Sequence, residues 1–183
     1  MEFSDFLYYF NEVSICRLIN TSLLTIRKTW TESYSFGKWS ISSSRAGGCV
    51  NYLSSFCNNP QYLFEVDSAD KPDDVIINLD QLSLRFLGKD TLTMGFFIMR
   101  VEDNRKYRLH KPKAKTTASS YINRRSVFVR EKLPTGRYIL IPSTFEPNIE
   151  GEFLLRIYTD NSNNLKYLIA LFLFLVRFKQ IKY

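Results

Sequence analysis

The chain has 183 residues, 45% hydrophobic and 15% aromatic, enough for one sizeable domain with a real core and too apolar for an intrinsically disordered chain. Its net charge of +7 is local: residues 100–132 carry 11 basic and 3 acidic side chains, against 8 and 11 in residues 1–99. That pattern implies a confined basic patch rather than a generally cationic protein.

Residues 2–20 begin with Phe3, Phe6, Leu7 and Phe10 at helical spacing, with Ser4 as a candidate cap, and turn β-like from Val13. "GKWSI" (37–41) reads as a strand carrying Trp39. "SSSRAGGCVNY" (42–52) reads as a loop whose Gly47-Gly48 pair suggests positive φ. Strands follow at "NNPQYLFEV" (58–66), entered through a turn, and at "VIINLDQLSL" (75–84) and "LTMGFFIMRV" (92–101). Residues 107–125 are basic and loop-like around Pro112. Strands then resume at 126–133, 137–143 and 152–159.

The stretch "RYILIPSTFEP" (137–147) predicts a stiff corner. Pro142 is expected to end its strand because it donates nothing to a ladder. Pro147 stiffens the connection and Gly151 lets the chain reverse. Trp39 and Phe145 are expected in the core. Seven or eight short strands at roughly ten-residue spacing indicate an all-β antiparallel sandwich, not a βαβ fold. The last segment, 163–183, contains an apolar run from Tyr167 to Val176. That is about half the ~20 residues that span a bilayer, which favours a short buried helix, an interfacial segment or a gene-model artefact.

Catalytic chemistry finds little support. The single histidine, His110, lies between Leu109 and Lys111, and nothing in the sequence ties it to Cys16, Cys49 or Cys57. No phosphate-binding glycine loop, CxxC pair or HExxH helix occurs, and Cys and His are too few for a zinc site. Three cysteines with no secretory signal suggest reduced thiols and a cytoplasmic protein. The sequon Asn20-Thr21-Ser22 then reads as a chance match.

Two segments are candidates for binding. Glu65, Asp67, Asp70, Asp73 and Asp74 line an acidic loop whose oxygens suit Ca²⁺, the ordinary alternative being a solvated loop. Lys106, Arg108, Lys111, Lys113, Lys115, Arg124 and Arg125 form a basic segment. Of these, Lys111, Lys113, Lys115, Arg124 and Arg125 are the candidates for anionic lipid heads or an acidic partner, and the ordinary alternative is again solvation. Nucleic acid is disfavoured because no aromatic interleaves the lysines.

"W…RAGGCVN…F…NPQYLFEV" (39–66), "MGFFIMRVE" (94–102) and "LPTGRYILIPSTFEPNIEGEFLLRIYTD" (133–160) together resemble the third domain of calpains, calcium-dependent cysteine proteases. Residues 3–20 resemble the end of the calpain protease core. The wording around "CRLINTS" and "YRLH…SSYINRRSVF" is closest to the non-conventional calpains that lack EF-hands. The resemblance implies an eight-stranded antiparallel β-sandwich over 36–160, a core remnant over 1–35 and an apolar tail over 161–183.

In function, it implies a non-catalytic regulatory domain that packs on the protease core, passes on calcium and membrane signals, and is cytoplasmic or membrane-associated. The family's acidic loop pairs with basic residues of the core. Here Lys71 and Pro72 make the loop poorer in acids than in conventional calpains. None of the three cysteines matches the family's catalytic motifs, so a partial or truncated product is expected. The alternatives are a free-standing protein-binding adaptor and a fragment of an active protease.

Overall fold

The computed structural model describes residues 2–9, 19–22, 24, 29–68, 72–82, 91–114 and 116–169. The chain divides into two units, Met1–Trp30 and Thr31–Tyr183. The first contains helix α1 (Phe3–Tyr9). The cap lies two residues before the expected Ser4: the Glu2 carbonyl accepts the Phe6 N–H at 3.2 Å. Asp5 reaches back to the Glu2 N–H at 3.3 Å, which satisfies one donor left free at the helix start. Residue Cys16 and the β-like stretch from Val13 to Leu18 lie outside the described residues.

The second unit is an all-β antiparallel sandwich. Its strands are β1 (Thr31–Trp39), β2 (Tyr62–Val66), β3 (Asp73–Gln81), β4 (Thr93–Val101), β5 (Thr117–Ala118), β6 (Ile122–Asn123), β7 (Ser126–Leu133), β8 (Gly136–Thr144), β9 (Gly151–Thr159) and β10 (Lys166–Tyr167). One sheet runs β1-β9-β3-β7, the other β10-β2-β8-β4-β5, with β6 also on β4. Seven strands are long; β5, β6 and β10 have two residues each.

The sheets form because alternate residues turn inward. Val75, Ile77 and Leu79 of β3 meet Tyr62, Phe64, Phe96, Ile98, Tyr138 and Leu140 of the facing sheet in one buried cluster. Trp39 belongs to it, as expected: it is 1% exposed, its ring lies 4.6 Å from Phe153, and its indole N–H donates to the Pro142 carbonyl at 3.0 Å.

Sheet β10-β2-β8-β4-β5 is buried on its other face too. Leu63, Met99, Ile139 and Ile141 point outward into a second cluster with Phe56, Leu109 and Leu168. The short helix α2 (Leu53–Phe56) supplies Phe56. Thus β8 is apolar on both faces because it is a covered central strand, which removes the usual alternation. The basic segment 107–125 is accordingly a cover as well as a loop.

Three expectations at the corner are corrected. Pro142 does not end its strand: β8 continues to Thr144, with Pro142 opposite Phe96. The neighbouring strand β2 begins at Tyr62, opposite Leu140, so the edge beside Pro142 carries no ladder. A residue's N and C=O share one edge, and here that edge receives only the Trp39 indole, so the missing N–H costs nothing.

Gly151 is not the reversal. Asn148 takes the positive φ (59°), which Asn tolerates. Gly151 is paired with Trp39 in the ladder, and a Cβ there would meet Leu92 at 2.6 Å. Finally, Phe145 is 39% exposed rather than core, packed edge-on to Tyr121 at 5.8 Å. Phe145→Ala is therefore expected to cost about 1 kcal/mol, well below the ~3–5 of a buried aromatic, as a denaturant midpoint would show. The Gly48 φ of 75° bears out the positive φ expected in the glycine pair.

Candidate functional site

The acidic candidates leave the end of β2 and enter β3, but the described ones do not converge. Glu65 on β2 pairs with Arg137 on β8 at 2.5 Å and accepts the Asn164 amide at 2.6 Å. The Asn164 amide first, and Arg137 after it, hold the Glu65 carboxyl below its ordinary range. Asp74 pairs across strands with Arg130 on β7 at 2.9 Å. Asp73 faces inward, 5% exposed, and accepts the Asp160 N–H at 3.3 Å.

Asp67 is exposed; its backbone carbonyl accepts the Asn161 amide at 2.8 Å. Asp70 and Lys71 lie outside the described residues. Among the described residues no three His, Cys, Asp or Glu side chains group so as to hold a metal ion. Period-two alternation explains the scatter, since it sends neighbouring carboxylates of one strand to opposite faces.

The basic candidates are likewise separated. Lys113 pairs with Glu102 at 2.5 Å, just past the Val101 end of β4, and the Lys113 bond lowers the Glu102 carboxyl. Lys111, two residues earlier, is exposed. Arg124 and Arg125 occupy the β6–β7 turn at the other end of β4, where Asn123 pairs with Thr93. The Gln81 side-chain amide donates to the Arg124 carbonyl at 2.6 Å. With eight residue steps between Thr93 and Val101, the two groups lie about 27 Å apart along the strand. Lys115 lies outside the described residues. Lys106 is exposed, whereas Arg108 is buried.

Comparison with known proteins decides the family. Residues 35–158 match the family described as Calpain large subunit, domain III. The chain belongs to the calpain family. It is 47% identical to Calpain-5 of Mus musculus over 174 residues, covering 91% of this chain and 27% of that protein. It is 36% identical to Calpain-5 of Caenorhabditis elegans over 169 residues, 87% of this chain and 26% of that one. It is also 36% identical to the Calpain-2 catalytic subunit of Gallus gallus over 184 residues, 90% and 26%. The chain therefore spans about a quarter of the length of the curated relatives it matches.

In this calpain domain III, Cys49 and Cys57 are buried free thiols; burial pushes the Cys57 thiol up, away from the reactive thiolate. Two features escaped the sequence reading. On the outer face of edge strand β1, Tyr34 and Phe36 are 63% and 65% exposed, their rings edge-on at 6.1 Å. The i, i+2 aromatic pair was visible in "ESYSFGKW", but the expected strand began at Gly37 and left it out. Arg45, the second, sits in the loop after β1, where its guanidinium reaches Tyr167 of β10 at 3.3 Å.

Proposed function

We propose that this calpain domain III is a non-catalytic regulatory sandwich that packs on the protease core of a longer calpain. The observation that carries this reading is the outer face of β1. Two large aromatics side by side on an edge strand form the kind of apolar surface that a partner covers. The occupant is the protease core, because the matched relatives are roughly four times as long as the region they share with this chain, and the resemblance assigns that core as the neighbour.

The test is binding of the chain to the separately expressed protease core of mouse Calpain-5, by calorimetry. Tyr34→Ser/Phe36→Ser is expected to weaken binding at least about tenfold while leaving the unfolding midpoint in place, since both rings are exposed. Unchanged affinity would remove this face from the interface.

Calcium and anionic lipid are finer parts of the same reading, as is a cytoplasmic location, which free Cys49 and Cys57 support. For calcium, Glu65 and Asp74 are already held by arginines and Asp73 is buried, which leaves Asp67 among the described carboxylates of the loop. A site of that kind belongs to the weak end of calcium affinities, Kd about 1 mM. At 1 mM calcium it would stabilise the sandwich by about 0.4 kcal/mol. Thermal melts with and without the ion should differ by no more than about 2 °C; a larger rise would indicate a tight site. For lipid, the separation along β4 gives two small basic patches, each of two described side chains and worth about 2 kcal/mol at most.

A further inference from the structure

We propose that Arg45, Arg108 and Tyr167 form a binding site for a phosphate group. Arg108 is 6% exposed and lies against the chain that follows β10, its N–H donating to the Ile169 carbonyl at 3.4 Å. Through Nη2 it donates to the Cys57 carbonyl and to the Asn59 carbonyl at 3.3 Å. Arg45 donates through Nε to the Tyr167 hydroxyl at 3.3 Å and through Nη1 to the Ser44 carbonyl at 3.2 Å. The Tyr167 ring is steadied edge-on against Tyr62 at 5.5 Å.

Neither guanidinium has a carboxylate partner among the described residues. That distinguishes them from Arg130, Arg137 and Arg156, each ion-paired to a neighbouring strand of its own sheet. Burial first, and the neighbouring Arg45 charge next, lower the Arg108 pKa, and Tyr167 lies within its electrostatic reach. Two cations held together in a partly dry setting repel each other, and an anion between them removes that cost.

The donors left over define the ligand. Nε and Nη1 of Arg108 and Nη2 of Arg45 make no hydrogen bond with described residues, and the Tyr167 hydroxyl, accepting from Arg45, keeps its own proton to donate. Guanidinium edges match the oxygens of a phosphate. Two positive charges match the nearly −2 charge of a phosphomonoester or free phosphate at neutral pH better than the single charge of a carboxylate. The helix α2 end supplies the rest of the setting: Cys57 and Asn59, whose carbonyls hold Arg108, lie just past Phe56.

The experiment is calorimetric titration of the chain with inorganic phosphate at fixed ionic strength. Saturable binding is expected. Arg45→Gln should weaken it at least about tenfold, and Tyr167→Phe about threefold. Both side chains are partly exposed, and unfolding midpoints without phosphate check that the variants fold. Arg108→Gln is avoided because that side chain also holds the α2 end.

A parallel arm sediments the chain with vesicles containing phosphatidic acid. Arg45-dependent sedimentation that free phosphate competes away would identify a lipid phosphomonoester as the source. Saturable phosphate binding without sedimentation would identify a small water-borne phosphate. No saturable binding of phosphate, or equal binding by Arg45→Gln and the unchanged chain, would overturn the site.

Discussion

Trp39→Ala is expected to destabilise the sandwich by about 3–5 kcal/mol and to lower its unfolding midpoint by about 10 °C or more. The substitution removes three things at once. The indole is 1% exposed and lies 4.6 Å from Phe153, so its loss opens a cavity where the two sheets close. Its N–H donates to Pro142, so truncation also leaves that carbonyl, on the unladdered edge of β8, without a donor. The ring further packs within 3.3 Å of where a Cβ on Gly151 would stand, so the first residue of β9 loses a contact. Trp39→Phe separates the contributions: it keeps most of the ring volume, loses the N–H, and should cost nearer 1–2 kcal/mol. Equal losses in the two variants would mean the hydrogen bond, not the packing, dominates.

Asn59→Ala is expected to cost about 3 kcal/mol for a side chain of modest size. Asn59 is fully buried and ties the 46–60 loop together. Its Oδ1 accepts the Gly47 N–H at 2.9 Å. Its Nδ2 donates to the Gly48 carbonyl at 2.7 Å and the Phe56 carbonyl at 2.9 Å. Removing it strands buried backbone groups, each costing about 1–3 kcal/mol if left unpaired. The loop cannot repair itself by shifting: Gly47 already sits against the Ser55 carbonyl, and Gly48 is at positive φ with a Cβ position 2.7 Å from Pro147. Asn58→Ala, one residue away and exposed, is the control and should stay within about 0.5 kcal/mol. Urea unfolding of both variants measures the difference.

Much of the sandwich was legible because its inward residues declare themselves. "VIINL" alternates, and Val75, Ile77 and Leu79 all face the core. The second face of sheet β10-β2-β8-β4-β5 was not legible. Its cover comes from Leu109, in a segment that reads as loop, Phe56, in a stretch that reads as no element, and Leu168, in the apolar run near the C-terminus, and no periodicity links them. Pro142 misled for a related reason: a proline stops a strand only where a neighbour needs its N–H, and where β2 begins is a fact of the sheet, not of the residue. Phe145 looked like core from its place in the proline-bracketed corner, yet Thr144 before it is the inward position, 1% exposed.

For the sites, sequence clustering overstated spatial clustering. Glu65 and Asp74 belong to different sheets, and β4 carries Lys113 and Arg124 to its opposite ends. Arg45 and Arg108 are 63 residues apart in the chain; the α2 end, whose Cys57 and Asn59 carbonyls hold Arg108, and β10, whose Tyr167 meets Arg45, bring them together.

The central claim is that this calpain domain III acts on a protease core without chemistry of its own. The most direct measurement is casein hydrolysis by the mouse Calpain-5 protease core, with calcium present, titrated with the chain. The account predicts that the chain alone cleaves nothing, that adding it to the core changes the rate saturably, and that Tyr34→Ser/Phe36→Ser shifts that curve to at least about tenfold higher concentration. A core whose rate is indifferent to the chain, or casein cleavage by the chain by itself, would contradict it.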